Sequence, residues 1–171
     1  MRVITGTARG RRLKEPLDYS VRPTTDKVKE SIFNIIQFDL EGRRVLDLFA
    51  GTGQLGIEAR SRGAAHVVFV DSSTASLRLI RDNIKIAGFN TGVSVVPSDA
   101  QSFLKTGERF DIIFLDPPYD STLLENSLID ICRFDILKEN GIIVCESKLD
   151  KEMPDLSEEG DIPVTEEDLF S

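Results

Sequence analysis

The chain reads as a doubly wound α/β domain with a mainly parallel sheet. Short, near-continuous apolar runs recur along it: Arg44 to Phe49 (RVLDLF), His66 to Val70 (HVVFV), Asp111 to Leu115 (DIIFL) and Gly141 to Cys145 (GIIVC). Stretches of helical periodicity separate these runs, and a glycine-rich turn joins the first of them to the helix that follows. Strands apolar on both faces belong to a parallel sheet covered by helices on either side. In such a domain ligands sit at the carboxyl ends of the strands.

Each element has its own local reason. The opening is turn-rich (Gly6, Gly10, Pro16, Pro23). Val28, Ile32, Ile35, Ile36 and Leu40 then recur at helical spacing, with Thr24 or Thr25 as N-cap and Asp26 in the first turn. RVLDLF is the first strand, and Leu55 to Arg62 reads as a helix ended by Gly63. HVVFV is the second strand, followed by a helix from about Ser73 to Ala87 with Leu77, Ile80 and Ile84 inward. Val93 to Val96 is a third strand and DIIFL a fourth. Leu123, Leu124, Leu128 and Ile131 mark another helix before the fifth strand, GIIVC. Beyond Glu146 only Ile162 to Val164 offers a weak strand, so an uncovered fifth strand would be an association hazard. The expected organisation is a basic arm over 1–22, a core over 23–146 and an acidic tail over 147–171.

Composition bounds the chemistry. The 171 residues suit one domain, and 40% hydrophobic with 29% charged residues suits a packed core. Two cysteines outside any C-x-x-C pair exclude a disulfide framework or a zinc site, and Cys132 and Cys145 read as ordinary helix and strand residues. The single histidine, His66, reads as a strand-start residue, which disfavours a Ser-His-Asp or Cys-His machine. No apolar run approaches the roughly 20 residues of a membrane span, and the N-terminus lacks the apolar stretch of a signal peptide. A reduced, cytoplasmic protein is expected, a monomer with a dimer left open.

The net charge of −8 is unevenly placed. Residues 146–171 hold ten acids and two bases, so residues 1–145 are neutral, with 19 of each sign. Within them, Met1 to Lys14 carry five bases and no acid. The arm around Arg9, Arg11 and Arg12 is therefore either a phosphate-contacting patch or a solvated basic turn.

The strand ends carry the rest. After the first strand, Asp47-Leu-Phe-Ala-Gly51-Thr-Gly53-Gln-Leu-Gly56 fits G-x-G-x-x-G between strand and helix, which allows a tight turn and close backbone approach to a ligand. Asp71, 20 residues beyond Gly51, can accept both hydroxyls of a ribose or simply cap the next helix. Asp99 can accept from an exocyclic amine such as that of adenine, or act as an N-cap. The fourth strand ends in Asp116-Pro117-Pro118-Tyr119. Two prolines remove two donors, so the Asp116 side chain and nearby carbonyls make an acceptor-only rim, with Tyr119 as a flat face beside it. Such a rim suits a planar group bearing an NH2, and a hydride-transfer site would have little use for it.

These residues resemble class I S-adenosylmethionine-dependent amino-methyltransferases. More narrowly, MRVITGTARGRRL, RPTTDKVKESIFNII, LDLFAGTGQLGIEARSRGA and DPPY occur in the order seen in RsmD-type enzymes, which methylate the exocyclic N2 of a guanine in small-subunit (16S) ribosomal RNA. The resemblance spans roughly residues 1–146 and implies a Rossmann-like fold, S-adenosylmethionine as cofactor, and ribosomal RNA or the assembling small subunit as partner. It implies that Asp47 and the turn Gly51, Thr52, Gly53 hold the methionine end of the cofactor. Asp71 with Ser72 would take its ribose and Asp99 with Ala100 its adenine. Arg22, Pro23 and Thr24 would border the cleft, Asp116, Pro117, Pro118 and Tyr119 would take the base, and Arg9, Arg11, Arg12 and Arg22 would contact RNA. In the family two antiparallel edge strands follow the fifth; here they are expected shortened or missing. Gln54 and Arg60 depart from the small or apolar residues common there, with no loss of function expected. Other readings are amino methylation of DNA adenine or protein glutamine, a nicotinamide oxidoreductase, which leaves Asp116 to Tyr119 unexplained, and a non-catalytic RNA-binding module.

Overall fold

A computed structural model describes residues 1–16, 24–117, 121–145 and 164–165. In chain order the elements are α1 (Asp26–Ile36), β1 (Arg44–Leu48), α2 (Gln54–Ser61), β2 (His66–Asp71), α3 (Thr74–Ala87), β3 (Val93–Pro97), α4 (Ala100–Leu104), β4 (Phe110–Leu115), α5 (Ser121–Arg133), β5 (Leu137–Cys145) and β6 (Val164–Thr165). They form one sheet of order β3-β2-β1-β4-β5-β6 in which every pairing is parallel. The order reverses between β1 and β4, so the crevice of this α/β sheet opens at their carboxyl ends.

Alternation along the strands divides the core in two. Val45, Val67, Phe69, Ile112, Phe114 and Val144 face Ile32, Phe33, Ile36, Ile57, Ile80 and Ile84 of α1, α2 and α3. Leu46, Leu48, Val68, Val70, Ile113 and Leu115 face Phe103, Leu104, Leu124, Leu128 and Ile131 of α4 and α5. The doubly wound class expected from the apolar runs is the one observed.

Local differences have local causes. Thr25 is the N-cap of α1, accepting from the Val28 amide. The stripe of α1 that packs is Ile32, Phe33 and Ile36, so Ile35 faces outward, and since the helix stops at Ile36, Leu40 is buried from the following turn. The short helix α4 escapes a periodicity reading because five residues make barely more than one turn. β5 begins four residues before Gly141, and its register with β4 shifts between Phe110 and Ile112, where left-handed Asn140 bends the strand. β6 shares only Val164 with the expected strand Ile162 to Val164, whose first two residues lie outside the described residues. It pairs parallel with Val144 and Cys145, and no antiparallel edge strand occurs among the described residues.

Residues 1–16 fold back onto the helices. Arg2 and Arg12 bridge antiparallel, and Val3, Ala8 and Leu13 are buried in the α1–α3 layer. The fastening is Glu58 of α2, which is fully buried. Its oxygens accept from the amides of Ile4 (2.8 Å) and Thr5 (3.0 Å), pair with Lys29 Nζ (3.4 Å) and take Arg62 Nε (2.9 Å). Lys29 is equally buried and also donates to the Arg2 carbonyl at 2.6 Å. Burial holds its ammonium pKa below the ordinary lysine value, and the Glu58 charge opposes that fall. Removing one member leaves a buried charge uncompensated. Glu58→Gln should therefore cost about 3–5 kcal/mol in urea unfolding; unchanged stability would show that the segment is held some other way.

Candidate active site

The predicted carboxylates converge where β1, β2 and β4 end. Asp47 stands level with Phe69 and Phe114 in the parallel register. Asp71 and Asp116, each two residues further on, therefore leave the sheet on the α1–α3 side with it. Asp47 is 3% exposed, and its Oδ2 accepts the Gly56 amide at 3.0 Å. Asp71 accepts the Gly51 amide on Oδ2 and the Ser73 amide on Oδ1, both at 2.9 Å. Its carboxylate thus pins the glycine turn to β2 and leads into α3.

The turn is left-handed at three alternate residues, Phe49 (φ 60°), Gly51 (φ 60°) and Gly53 (φ 80°). Phe49 carries the strain of a side chain in that region, about 1–2 kcal/mol. Gly53 caps α2, and a Cβ there would meet Ile80 at 3.3 Å. At Gly56 a Cβ would overlap the Phe69 ring, so only glycine lets α2 lie this close to β2. Thr52 is buried, its hydroxyl accepting from the Gln54 amide at 3.4 Å.

A cation fits this place. Burial pushes the Asp47 carboxyl well above the usual carboxylate range, the Gly56 amide opposes that, and the negative charges of Asp116 and Asp71 raise it further. A positively charged ligand beside the three acids would relieve their repulsion, and the open left-handed turn gives it backbone to approach. These features fit the methionine end of S-adenosylmethionine, an ammonium and a sulfonium.

The other expected positions are distributed as follows. Asp99 is the N-cap of α4, accepting the Ser102 amide and hydroxyl at 2.8 Å each. The amide bond holds its carboxyl below the ordinary value, and the hydroxyl adds to this. Ala100 begins α4, and Ser72 is exposed between β2 and α3. Asp116 and Pro117 are half-buried directly after β4. Pro118, Tyr119, Arg22 and Pro23 lie outside the described residues. Arg9, Arg11 and Arg12 are exposed on the N-terminal segment. His66 starts β2 and shares a 2.8 Å hydrogen bond with Ser94. Cys145 is buried and Cys132 half-buried, and neither is in a disulfide. Among the described residues no acidic, His or Cys group could hold a metal ion, and no helix is long and apolar enough to cross a membrane.

Two residues at the site escape a sequence reading. Asn83 is fully buried; its Nδ2 donates to the carbonyls of Lys14 (3.1 Å) and Thr52 (2.9 Å), and its Oδ1 accepts the Lys14 amide (2.7 Å). One amide group thus joins the glycine turn to the N-terminal segment. The available signal was an asparagine on the inward stripe of Ile80, Ile84 and Ala87. Gln54 donates to the Thr24 carbonyl at 3.1 Å, joining the turn to the start of α1, while its Oε1 is buried without a partner among the described residues. Arg60 serves packing, donating to the Thr91 and Ala64 carbonyls and covering Phe89.

The raised carboxyl of Asp47 sets a pH dependence. The folded state keeps a proton that the unfolded chain releases, so this contribution is complete below about pH 4 and is lost as pH rises toward the raised value. Asp47→Asn should melt higher than the parent at neutral pH, with the gap closing on acidification to about pH 4. Parallel melting curves across that range would contradict a protonated Asp47.

Comparison with known proteins agrees with this architecture. A Bacillus subtilis protein provisionally named rRNA methyltransferase YlbH is 42% identical over 99% of this chain and 94% of its own length. Ribosomal RNA small subunit methyltransferase D of Escherichia coli K12 is 36% identical, covering 90% of this chain and 78% of that protein. A solved Haemophilus influenzae structure, provisionally titled a methylase, matches with TM-score 0.74 at 32% identity over 90% of this chain and 84% of that one. The model of the family described as conserved hypothetical protein 95 matches residues 1–162, and the chain belongs to that family.

Proposed function

We propose that the chain transfers a methyl group from S-adenosylmethionine to the exocyclic N2 of a guanine in small-subunit (16S) ribosomal RNA. The observation that carries this is the trio Asp47, Asp71 and Asp116 around a left-handed glycine turn, with the proline rim after Asp116. The relatives named as small-subunit rRNA methyltransferases support the substrate.

Bound S-adenosylmethionine supplies an electrophilic methyl carbon on a sulfonium. Asp47 and the Gly51-Thr52-Gly53 turn hold its amino-acid end, Asp71 and Ser72 its ribose, and Asp99 with Ala100 its adenine. The guanine amine is neutral, but its lone pair is delocalised into the ring. Asp116 and the Pro117 carbonyl accept its two N–H groups and turn the lone pair toward the methyl. Alignment is then most of the catalysis, and Asp116 takes the proton that leaves afterwards. The base must be unstacked to reach this rim, and Pro118 and Tyr119 give it a surface to stack on. Arg9, Arg11, Arg12 and Arg22 contact phosphates and add affinity without sequence choice. On this reading the protein works in the cytoplasm, as a monomer with a dimer left open.

The test is transfer of isotope-labelled methyl to small ribosomal subunits lacking the modification, with large subunits as control. Label confined to small-subunit RNA and recovered as N2-methylguanine is the expected result. Asp116→Ala should lower the rate about 100-fold or more, with binding of the cofactor still measurable by calorimetry. Full activity in that variant, or label in another acceptor, would sink the assignment.

A further inference from the structure

We propose that the exposed face of α3 and the N-terminal segment beside it form one phosphate-binding surface, which holds RNA backbone away from the target nucleotide. This rests on the RNA reading above. Arg78, Arg81 and Lys85 lie three and seven residues apart and are all exposed, so they share one face of the helix. No ion pair engages them among the described residues. The sole acid of α3, Asp82, is already paired with Lys14 at 3.1 Å. Arg11 reaches the end of the same helix, donating to the Ile86 carbonyl at 3.0 Å. The segment and the helix are therefore side by side, and their charges merge.

The segregation of charge points to a polyanion. Residues 1–14 and 74–87 together hold eight bases and one acid, whereas the rest of residues 1–145 hold eleven bases and 18 acids. In a chain of net −8, these two adjoining segments thus carry a local excess of seven positive charges. That surface starts at the site: the N-cap of α3, Ser73, donates its amide to Asp71. Lys85 lies about 16 Å along the helix axis from Thr74. Backbone contacts at that distance position a substrate without reading its bases.

The test uses the full chain and a fluorescently labelled RNA hairpin of arbitrary sequence, titrated at several salt concentrations. R78A/R81A/K85A should weaken binding about tenfold at low salt and reduce the slope of log affinity against log salt by about two. Its circular dichroism and its calorimetric affinity for S-adenosylmethionine should match the parent's. An unchanged slope, with the parent binding normally, would overturn this surface alone and leave a solvated helix face. Competition by polyglutamate as strong as by unlabelled RNA would overturn it in favour of an acidic protein partner. A parent chain with no affinity for RNA would overturn the RNA reading itself.

Discussion

The carboxylate of Glu58 is the interaction on which the rest of the structure depends. It sits without solvent exposure on α2, the helix that leaves the glycine turn, and it gathers the Ile4 and Thr5 amides, Lys29 and Arg62. Three parts of the chain, the N-terminal segment, α1 and α2, are thereby held in one relation. Buried ion pairs are costly to assemble and often add little net stability. What this one supplies is placement: α2 cannot shift without breaking bonds to all the others, so the turn at its head has a fixed seat.

That seat serves a division of labour among the acids. Asp71 is satisfied before any ligand arrives, with an amide on each oxygen, and so doubles as scaffold. Asp47 has one amide and is shut away from water among like charges, which makes it responsive to whatever positive charge enters. Asp99 is turned to its own helix start. A site assembled this way is largely pre-formed on its cofactor side, since the turn, the strand ends and α2 already share hydrogen bonds.

The layout of the fold was legible because strands and helices here differ in period: VLDLF, HVVFV and DIIFL admit no amphipathic helix, and each lies where the structure has a strand. The convergence of Asp47, Asp71 and Asp116 was legible too, since Asp71 and Asp116 close apolar runs and Asp47 interrupts one just before the glycine turn. Less legible were features made by long-range contact. Ile35 fits a periodic stripe yet faces solvent, because the stripe that packs is Ile32, Phe33 and Ile36. Lys29, Glu58 and Asn83 look like surface residues by type and become central only when segments far apart in sequence meet. The single turn of α4 and the bent start of β5 are set by capping and by a left-handed Asn140, which hydrophobic patterning does not register.

The antiparallel bridge of Arg2 and Arg12 rests on partners that come much later in the chain. Ile4 and Thr5 bond to Glu58, and Lys14 bonds to Asn83, a separation of 69 residues. During synthesis at about 5–20 residues per second, these early residues wait roughly 3–14 s for their partners. Over that interval a stretch with five bases and no acid emerges from the translating ribosome with its docking surface still unmade. The nascent protein thus presents this cationic stretch beside ribosomal RNA before the segment can dock.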